Sequence, residues 1–384
     1  MKNFDEILAE IATKGNTRHI PDDTTGNDYG YLDFSTNDYL GLADDKDLRF
    51  QFLKEAADDH SMLMSSSASR LLAATQRHHL ELENALKQAY GGIGEVLLFN
   101  SGYHANTGIL PAIADRSTLI IADKLIHASL IDGIVLTRCD FRRFPHNDID
   151  ALERIVKNHH DKYQTLIIVA ESVYSMDGDR APLNAIAGLK QKYDNLVLYL
   201  DEAHAFGVVG PNGLGLAQGS KSKADWDIVI GTFGKAAASM GAFAVVHTKL
   251  KEVLVNKSRS LIFSTALPPL QAAWTKKIIE MLPDLEYKRK HLRQLSHKLS
   301  ETLSPFCSTS IEVSHIQPLI VGDAKRSVEL SKALLDNDIK VLAIRTPTVP
   351  AGTERLRFSL SATMTYNDID KLRDALEDVF KDRF

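Results

Sequence analysis

The stretch LVLYLDEAHAFGVVG, residues 196–210, opens with five apolar residues in a row and ends in a polar, glycine-punctuated loop. An unbroken apolar run of strand length, without polar alternation, fits a strand buried on both faces. Asp201 and, three residues later, His204 then fall at that strand's carboxyl end. Similar runs recur at VLLF 96–99, TLIIA 118–122, TLIIVA 165–170, DIVIG 227–231 and FAVV 243–246. Between most of them lie segments with helical spacing of apolar residues, such as LLAATQRHHLELENALKQAY 71–90 and LNAIAGLKQKY 183–193. Strands of this kind alternating with helices predict an α/β fold whose largely parallel sheet is covered on both faces. In such folds ligands gather at the loops leaving the carboxyl ends of the strands.

The 384 residues suffice for two or three domains with a full core, and 44% hydrophobic with 25% charged residues is an ordinary globular composition. Forty-five basic against fifty acidic side chains give a net charge of -5, too mild to point to nucleic acid or an anionic membrane as a target. The two cysteines, Cys139 and Cys307, lie far apart and form no metal-binding pattern, which favours a reducing compartment. The N-terminus MKNFDEILAEIATKGN has no apolar segment of signal-peptide length, and no run reaches membrane-spanning length. These features predict a cytoplasmic protein. After Pro283 the pattern changes to a charged helix and a short-strand region, so the expected domains are an N-terminal arm over 1–42, a large domain over 43–283 and a small α+β domain over 284–384.

Each buried strand is followed by groups able to do chemistry. FNSGYHAN 99–106 reads as a tight turn opening a helix, whose free N–H groups can hold a phosphate at Gly102 and Tyr103. DKLIHASL 123–130 offers His127, and ESVYSMDGDRAPL 171–183 offers Glu171 and Ser175. GTFGKAAASMGAF 231–243 places Lys235 among small residues after Thr232, with no acidic neighbour along the chain. Taken singly, Asp201 and His204 read as a helix cap and a loop histidine, and a lone histidine is more often structural than functional. Together they form the set that pyridoxal phosphate catalysis needs: an amine for the aldehyde, a carboxylate for the pyridine nitrogen, and a turn with hydroxyls for the phosphate.

The order and spacing of these segments resemble the α-oxoamine synthase family of fold-type I pyridoxal-phosphate enzymes. TFGKA is similar to its lysine segment, DEAHAFGVVG to its aspartate–histidine segment and HASLIDG to its ring-stacking segment. The likeness extends from DFSTNDYLGL 33–42 to RLRFSLSATMT 355–365. It implies that Lys235 holds the cofactor aldehyde as an imine and then moves the proton at the substrate's α-carbon. It implies further that Asp201 pairs with the ring nitrogen, that His204 donates to the phenolic oxygen with Ser175 close by, and that His127 stacks on the ring and borders the substrate. Gly102, Tyr103 and Thr232 would bind the phosphate. IFSTALPP 262–269 is similar to a segment whose Ser264 and Thr265 reach the phosphate of a partner subunit, which implies a homodimer with shared sites.

On the substrate side, Arg357 resembles the arginine that takes an amino acid's carboxylate in a bidentate fork, assisted by Asn37. Arg18, Arg345 and Thr348 match positions near the acyl substrate. IQPLIVGD 316–323 and IRTPTVPAGTERLRFSLSA 344–362 are most similar to members that join L-alanine to a pimeloyl thioester, with loss of carbon dioxide, on the way to biotin. The acyl group would arrive on coenzyme A or on an acyl carrier protein. A rival within the family uses glycine and acetyl-CoA. A rival of another class is a non-catalytic subunit of the same fold, and such subunits lack the lysine.

Two segments depart from the family pattern. MSSSASRLLAAT 62–75 and KAAASMGAF 235–243 carry serine and alanine where relatives commonly carry glycine. A Cβ at a position needing positive φ is strained, so a modified wall around retained chemistry is expected there.

Overall fold

Each of the six apolar runs becomes a strand of one seven-stranded sheet in the computed structural model, which describes residues 3–13, 17, 20, 30–73, 76–92, 94–219, 226–308 and 312–381. The spatial order is Glu95–Phe99, Ala242–Val246, Ile228–Thr232, Leu196–Asp201, Thr165–Glu171, Thr118–Asp123 and Asp140–Phe144. Ala242–Val246 is antiparallel to both its neighbours and the remaining pairs are parallel, so all strands but that one run the same way. The central strands are buried at nearly every position, as continuous apolar runs require. The seventh strand, Asp140–Phe144, reads DFRRF and carries no apolar run. It lies at the sheet's edge with exposed Arg142 and Arg143, where charge protects an unpaired strand face.

The chain falls into two compact units, one of residues 40–175 and 180–290, the other of residues 1–39, 176–179 and 291–384. Against the joints expected at 42 and 283, the divisions thus fall at 39/40 and 290/291. Residues 30–39 go with the C-terminal unit for a physical reason. Leu32–Asp33 pairs in parallel with Ile339–Lys340, the Phe34 carbonyl accepts the Ser359 N–H at 2.8 Å, and the Phe34 and Phe358 rings meet edge to face. That unit also holds a three-stranded antiparallel sheet, Leu342–Ile344, Arg355–Ser359 and Ile316–Ile320, covered by helices whose buried Leu330, Leu334, Leu372 and Leu376 form its core.

In the larger unit the helix Gly102–Ile113 follows the first sheet strand and packs against the helix Ala128–Thr137. Both begin at the same end of the sheet, where the parallel strands stop.

Candidate active site

Ser101 caps the helix Gly102–Ile113, its hydroxyl accepting the His104 N–H at 3.2 Å. The first turn of that helix has amides without intrahelical partners. A Cβ built on Gly102 would lie 3.8 Å from the Cβ of Thr232, so the helix start faces the end of the strand Ile228–Thr232. Thr232 is buried and its hydroxyl donates to the Gly241 carbonyl at 3.1 Å. The Tyr103 side chain points elsewhere: its phenol is half-exposed and donates to Asp132 at 2.6 Å, which raises the phenol's pKa.

Asp201 ends the strand Leu196–Asp201 and is 5% exposed. Its Oδ1 accepts the Ala203 N–H at 2.9 Å and its Oδ2 accepts from Asn106 Nδ2 at 2.8 Å. Asn106 Nδ2 also reaches Ser129 Oγ at 2.9 Å, and Ser129 Oγ lies 2.8 Å from His127 Nδ1. Glu171 sits opposite Asp201 in the strand register and accepts the His127 backbone N–H. Burial first, and then the Asp201 charge, push the Glu171 carboxyl well above its ordinary range. Burial pulls the His127 imidazole down; Lys235 adds to that, while Asp201 and Asp132 oppose it. His127 and Glu171 therefore each lie within electrostatic reach of both Asp201 and Lys235. His204 and Ser175 are buried at the ends of their respective strands.

Lys235 stands half-buried in the turn between Ile228–Thr232 and Ala242–Val246, with Ala236 and Ala237 fully buried behind it. This turn is where the missing glycines matter. Ala238 takes φ 45 and, in the other departing segment, Ser67 takes φ 51, so each segment holds an L-residue in the left-handed region. Ala236 is accommodated differently. Gly207, φ 85, faces it so closely that a Cβ there would lie 2.5 Å from the Ala236 Cβ, so the glycine of the DEAHAFG loop makes room for this alanine. Ala238→Gly is expected to stabilise the protein by about 0.5–1 kcal/mol, because relief of left-handed strain exceeds the added unfolded-state entropy. A denaturant midpoint that falls instead would remove this account of the turn.

Glu202, next to Asp201, is fully buried and anchors the loop that follows. Its Oε1 accepts the N–H groups of Leu216 at 2.7 Å and Ala217 at 3.0 Å. Burial outweighs these bonds and pushes its carboxyl from 4.5 up to about 7. A carboxyl that is less acidic when folded holds its proton more tightly in the folded state, so its contribution to stability is complete below the unfolded value. That contribution shrinks as pH rises and is lost by about pH 7. Glu202→Gln, which keeps the Oε1 acceptor, is expected to flatten the fall of stability between about pH 4.5 and 7. Denaturant midpoints across that range check it, and an unchanged slope would assign the pH dependence elsewhere.

Ser264 is half-buried and Thr265 exposed, in a segment laid along residues 63–69. Ser69 and Thr265 form an antiparallel bridge, the Thr265 carbonyl accepts from Asn100 at 2.6 Å, and the Ala266 N–H reaches the Ala68 carbonyl at 2.9 Å.

The smaller unit contains its own buried cation. Arg357 is 4% exposed; its Nη1 donates to Ser359 Oγ at 2.7 Å and its Nη2 to Asn37 Oδ1 at 3.2 Å. Asn37 Oδ1 also accepts the Tyr39 phenol at 3.0 Å, and burial raises that phenol to about 12 although Arg357 opposes the shift. Arg345 is half-buried, and its carbonyl accepts the N–H of the exposed Thr348 at 2.9 Å. Arg18 lies outside the described residues. Sequence reasoning missed Arg355, whose guanidinium pairs with Asp177 and donates to the Met176 carbonyl, building the excursion 176–179 into this unit. It also missed Asn106, Ser129 and Tyr199. A buried asparagine in an apolar helix is the one signal that pointed to them.

Among the described residues no helix is long and apolar enough to cross a membrane, and no cluster of potential ligands could hold a metal ion. The profile of the aminotransferase class I and II family matches residues 29–376. The chain is 44% identical to a putative 8-amino-7-oxononanoate synthase of Pasteurella multocida, over 99% of each chain. It is also 44% identical to the 8-amino-7-oxononanoate synthase of Haemophilus ducreyi, covering 97% of this chain and 99% of that one. Among solved structures, serine palmitoyltransferase of Sphingomonas wittichii aligns with a TM-score of 0.87 at 30% identity, over 98% of this chain and 96% of that one. An 8-amino-7-oxononanoate synthase of Francisella tularensis aligns with a TM-score of 0.74 at 26% identity, over 92% and 97%.

Proposed function

The chain belongs to the aminotransferase class I and II family, and on that premise we propose that it is an 8-amino-7-oxononanoate synthase. The reaction joins L-alanine to a pimeloyl thioester and releases carbon dioxide and the free thiol, as a step in making biotin. The observation that carries this reading is the buried Asp201 carboxylate, tied to Asn106, with His127 within electrostatic reach of both Asp201 and Lys235. Relatives of nearly identical length bearing that name support the choice of member.

The donor set fits pyridoxal phosphate. Each Asp201 oxygen accepts one N–H and keeps a lone pair for a ring N–H, and the first-turn amides at Gly102 and Tyr103, which have no intrahelical acceptor, open a cradle beside Thr232. When bound, the cofactor supplies an aldehyde that condenses with amines and a ring that accepts the electron pair left when a proton leaves an α-carbon. Asp201 would hold the ring N–H by a charge-assisted bond. His127 would lie against the ring, His204 with Ser175 would serve its phenolic oxygen, and the backbone at Gly102 and Tyr103 with Thr232 would hold the phosphate. Lys235 Nζ takes the α-proton of alanine and returns a proton to the same carbon once carbon dioxide has left. Nζ must be neutral for the first of these acts.

Arg357 takes the alanine carboxylate. Its buried guanidinium is already held by Ser359 and Asn37, so little side-chain freedom is lost on forming a bidentate pair. Arg345, Thr348 and Arg18 serve the acyl side. Ser264 and Thr265 reach the phosphate of the partner in a homodimer, and the protein works in the cytoplasm, with the acyl group delivered on coenzyme A or an acyl carrier protein. The test is thiol release by the purified, cofactor-loaded protein. Release with alanine and pimeloyl-CoA is expected; release only with glycine and acetyl-CoA would transfer the chain to the rival activity.

A further inference from the structure

Asn106 is 1% exposed, on a helix whose neighbouring buried residues are Ala105, Ile109 and Leu110. An amide in such surroundings is costly unless its hydrogen-bonding groups are paired. Chemistry decides which way this amide points. The Asp201 carboxylate can only accept, so Nδ2 faces it; the flipped amide would set oxygen against oxygen. Nδ2 then gives one proton to Asp201 Oδ2 and the other to Ser129 Oγ, and Oδ1 accepts the Tyr199 phenol at 2.6 Å.

The direction of these bonds propagates. Ser129 Oγ accepts from Asn106 and has one proton to give, and His127 Nδ1 lies 2.8 Å away. The Ser129 backbone N–H approaches the same nitrogen at 3.1 Å. The backbone N–H can only donate, so Nδ1 is the acceptor, the Ser129 hydroxyl gives its proton to the same nitrogen, and the ring is neutral with its proton on Nε2. The network depends on a close helix crossing. A Cβ on Gly133 would come 2.6 Å from the Asn106 carbonyl oxygen, so only glycine there lets Ser129 reach Asn106.

We propose that Asn106 is a positioning residue that ties the Asp201 carboxylate to the His127 ring and, through the Ser129 hydroxyl, reinforces the Nε2–H tautomer set by the Ser129 backbone N–H. The proposal rests on reading the site as a pyridoxal-phosphate centre. Asn106 is buried and would act on the cofactor only through Asp201 and Ser129. It holds the carboxylate in the pose that serves the ring nitrogen, and through Ser129 it orients the imidazole that lies against the ring.

The test titrates the cofactor-free protein with pyridoxal phosphate and with its 1-deaza analogue, in which carbon replaces the ring nitrogen. Asn106→Ala is expected to weaken pyridoxal phosphate binding about tenfold, the scale of one hydrogen bond to a charged group, and to change binding of the analogue less than about twofold. Equal losses for both compounds would mean a merely structural role and overturn the proposal. An unsubstituted protein that binds neither compound overturns the reading of the site and the proposal with it, a result distinct from equal losses. Nitrogen-15 NMR of histidine-labelled holoenzyme needs no variant, so it tests the bond directions on which the proposal stands even if Asn106→Ala does not fold. His127 is expected to show an unprotonated Nδ1 and a protonated Nε2 near neutral pH; a doubly protonated ring or the opposite tautomer overturns the proposal.

Discussion

Replacing Lys235 with alanine is expected to lower turnover by about four orders of magnitude, the upper range for loss of a general acid–base group that is also the covalent anchor. The same variant should lose the visible absorption band of the bound cofactor. The expectation of a chemical rather than a folding defect comes from the turn itself. The Lys235 carbonyl accepts the Ala238 N–H at 2.9 Å, a bond alanine keeps, and the side chain is only half-buried. The aromatic group beneath the turn, Phe233, Phe243 and Phe206, is packed ring on ring without the lysine. A thermal midpoint close to that of the unsubstituted protein should therefore accompany the loss of turnover. Turnover within about tenfold of normal would place the proton transfer on another group.

The parts of the fold that sequence made legible are those set by burial on both faces. TLIIVA and LVLYL read as interior strands, and they stand side by side at the centre of the sheet. DFRRF was not legible because an edge strand is shaped by solvent and charge on its open side, which erases the apolar run. The site divides along the same line. Groups that the chain itself delivers to strand ends, Asp201, His127, Thr232 and Lys235, could be named from local pattern. Asn106, Ser129 and Tyr199 acquire meaning only when two helices and a strand come together, and each reads alone as an ordinary buried polar residue. Asp177 and Arg355 are separated by most of the chain and meet only in the folded unit. The glycine departures lay between these cases. Sequence marked Ser and Ala as unusual, and the backbone angles of Ser67 and Ala238 show where the strain resides.

Asp201→Asn should lower turnover by about a thousandfold, comparable to loss of a preorganised electrostatic contact in a water-poor site. The carboxylate is 5% exposed, so water replaces little of the lost interaction. An amide has no charge with which to keep a ring nitrogen protonated, and without that proton the ring is a poorer acceptor of electrons. The substitution also disturbs the neighbours. Asn106 Nδ2 and the Ala203 N–H both donate to the carboxylate. An amide at 201 has one oxygen for these two donors, so its own NH2 group faces whichever donor the oxygen leaves. Either the new side chain turns away from the ring or Asn106 flips and abandons the Tyr199 phenol, bonded now at 2.6 Å. A cofactor analogue methylated at the ring nitrogen separates the two consequences, because its positive charge is fixed and needs no carboxylate to maintain it. If charge is the main loss, the analogue should restore about tenfold or more of the variant's turnover. If disorder of the Asn106 network dominates, no recovery is expected, and the histidine tautomer signal should be lost in the same variant.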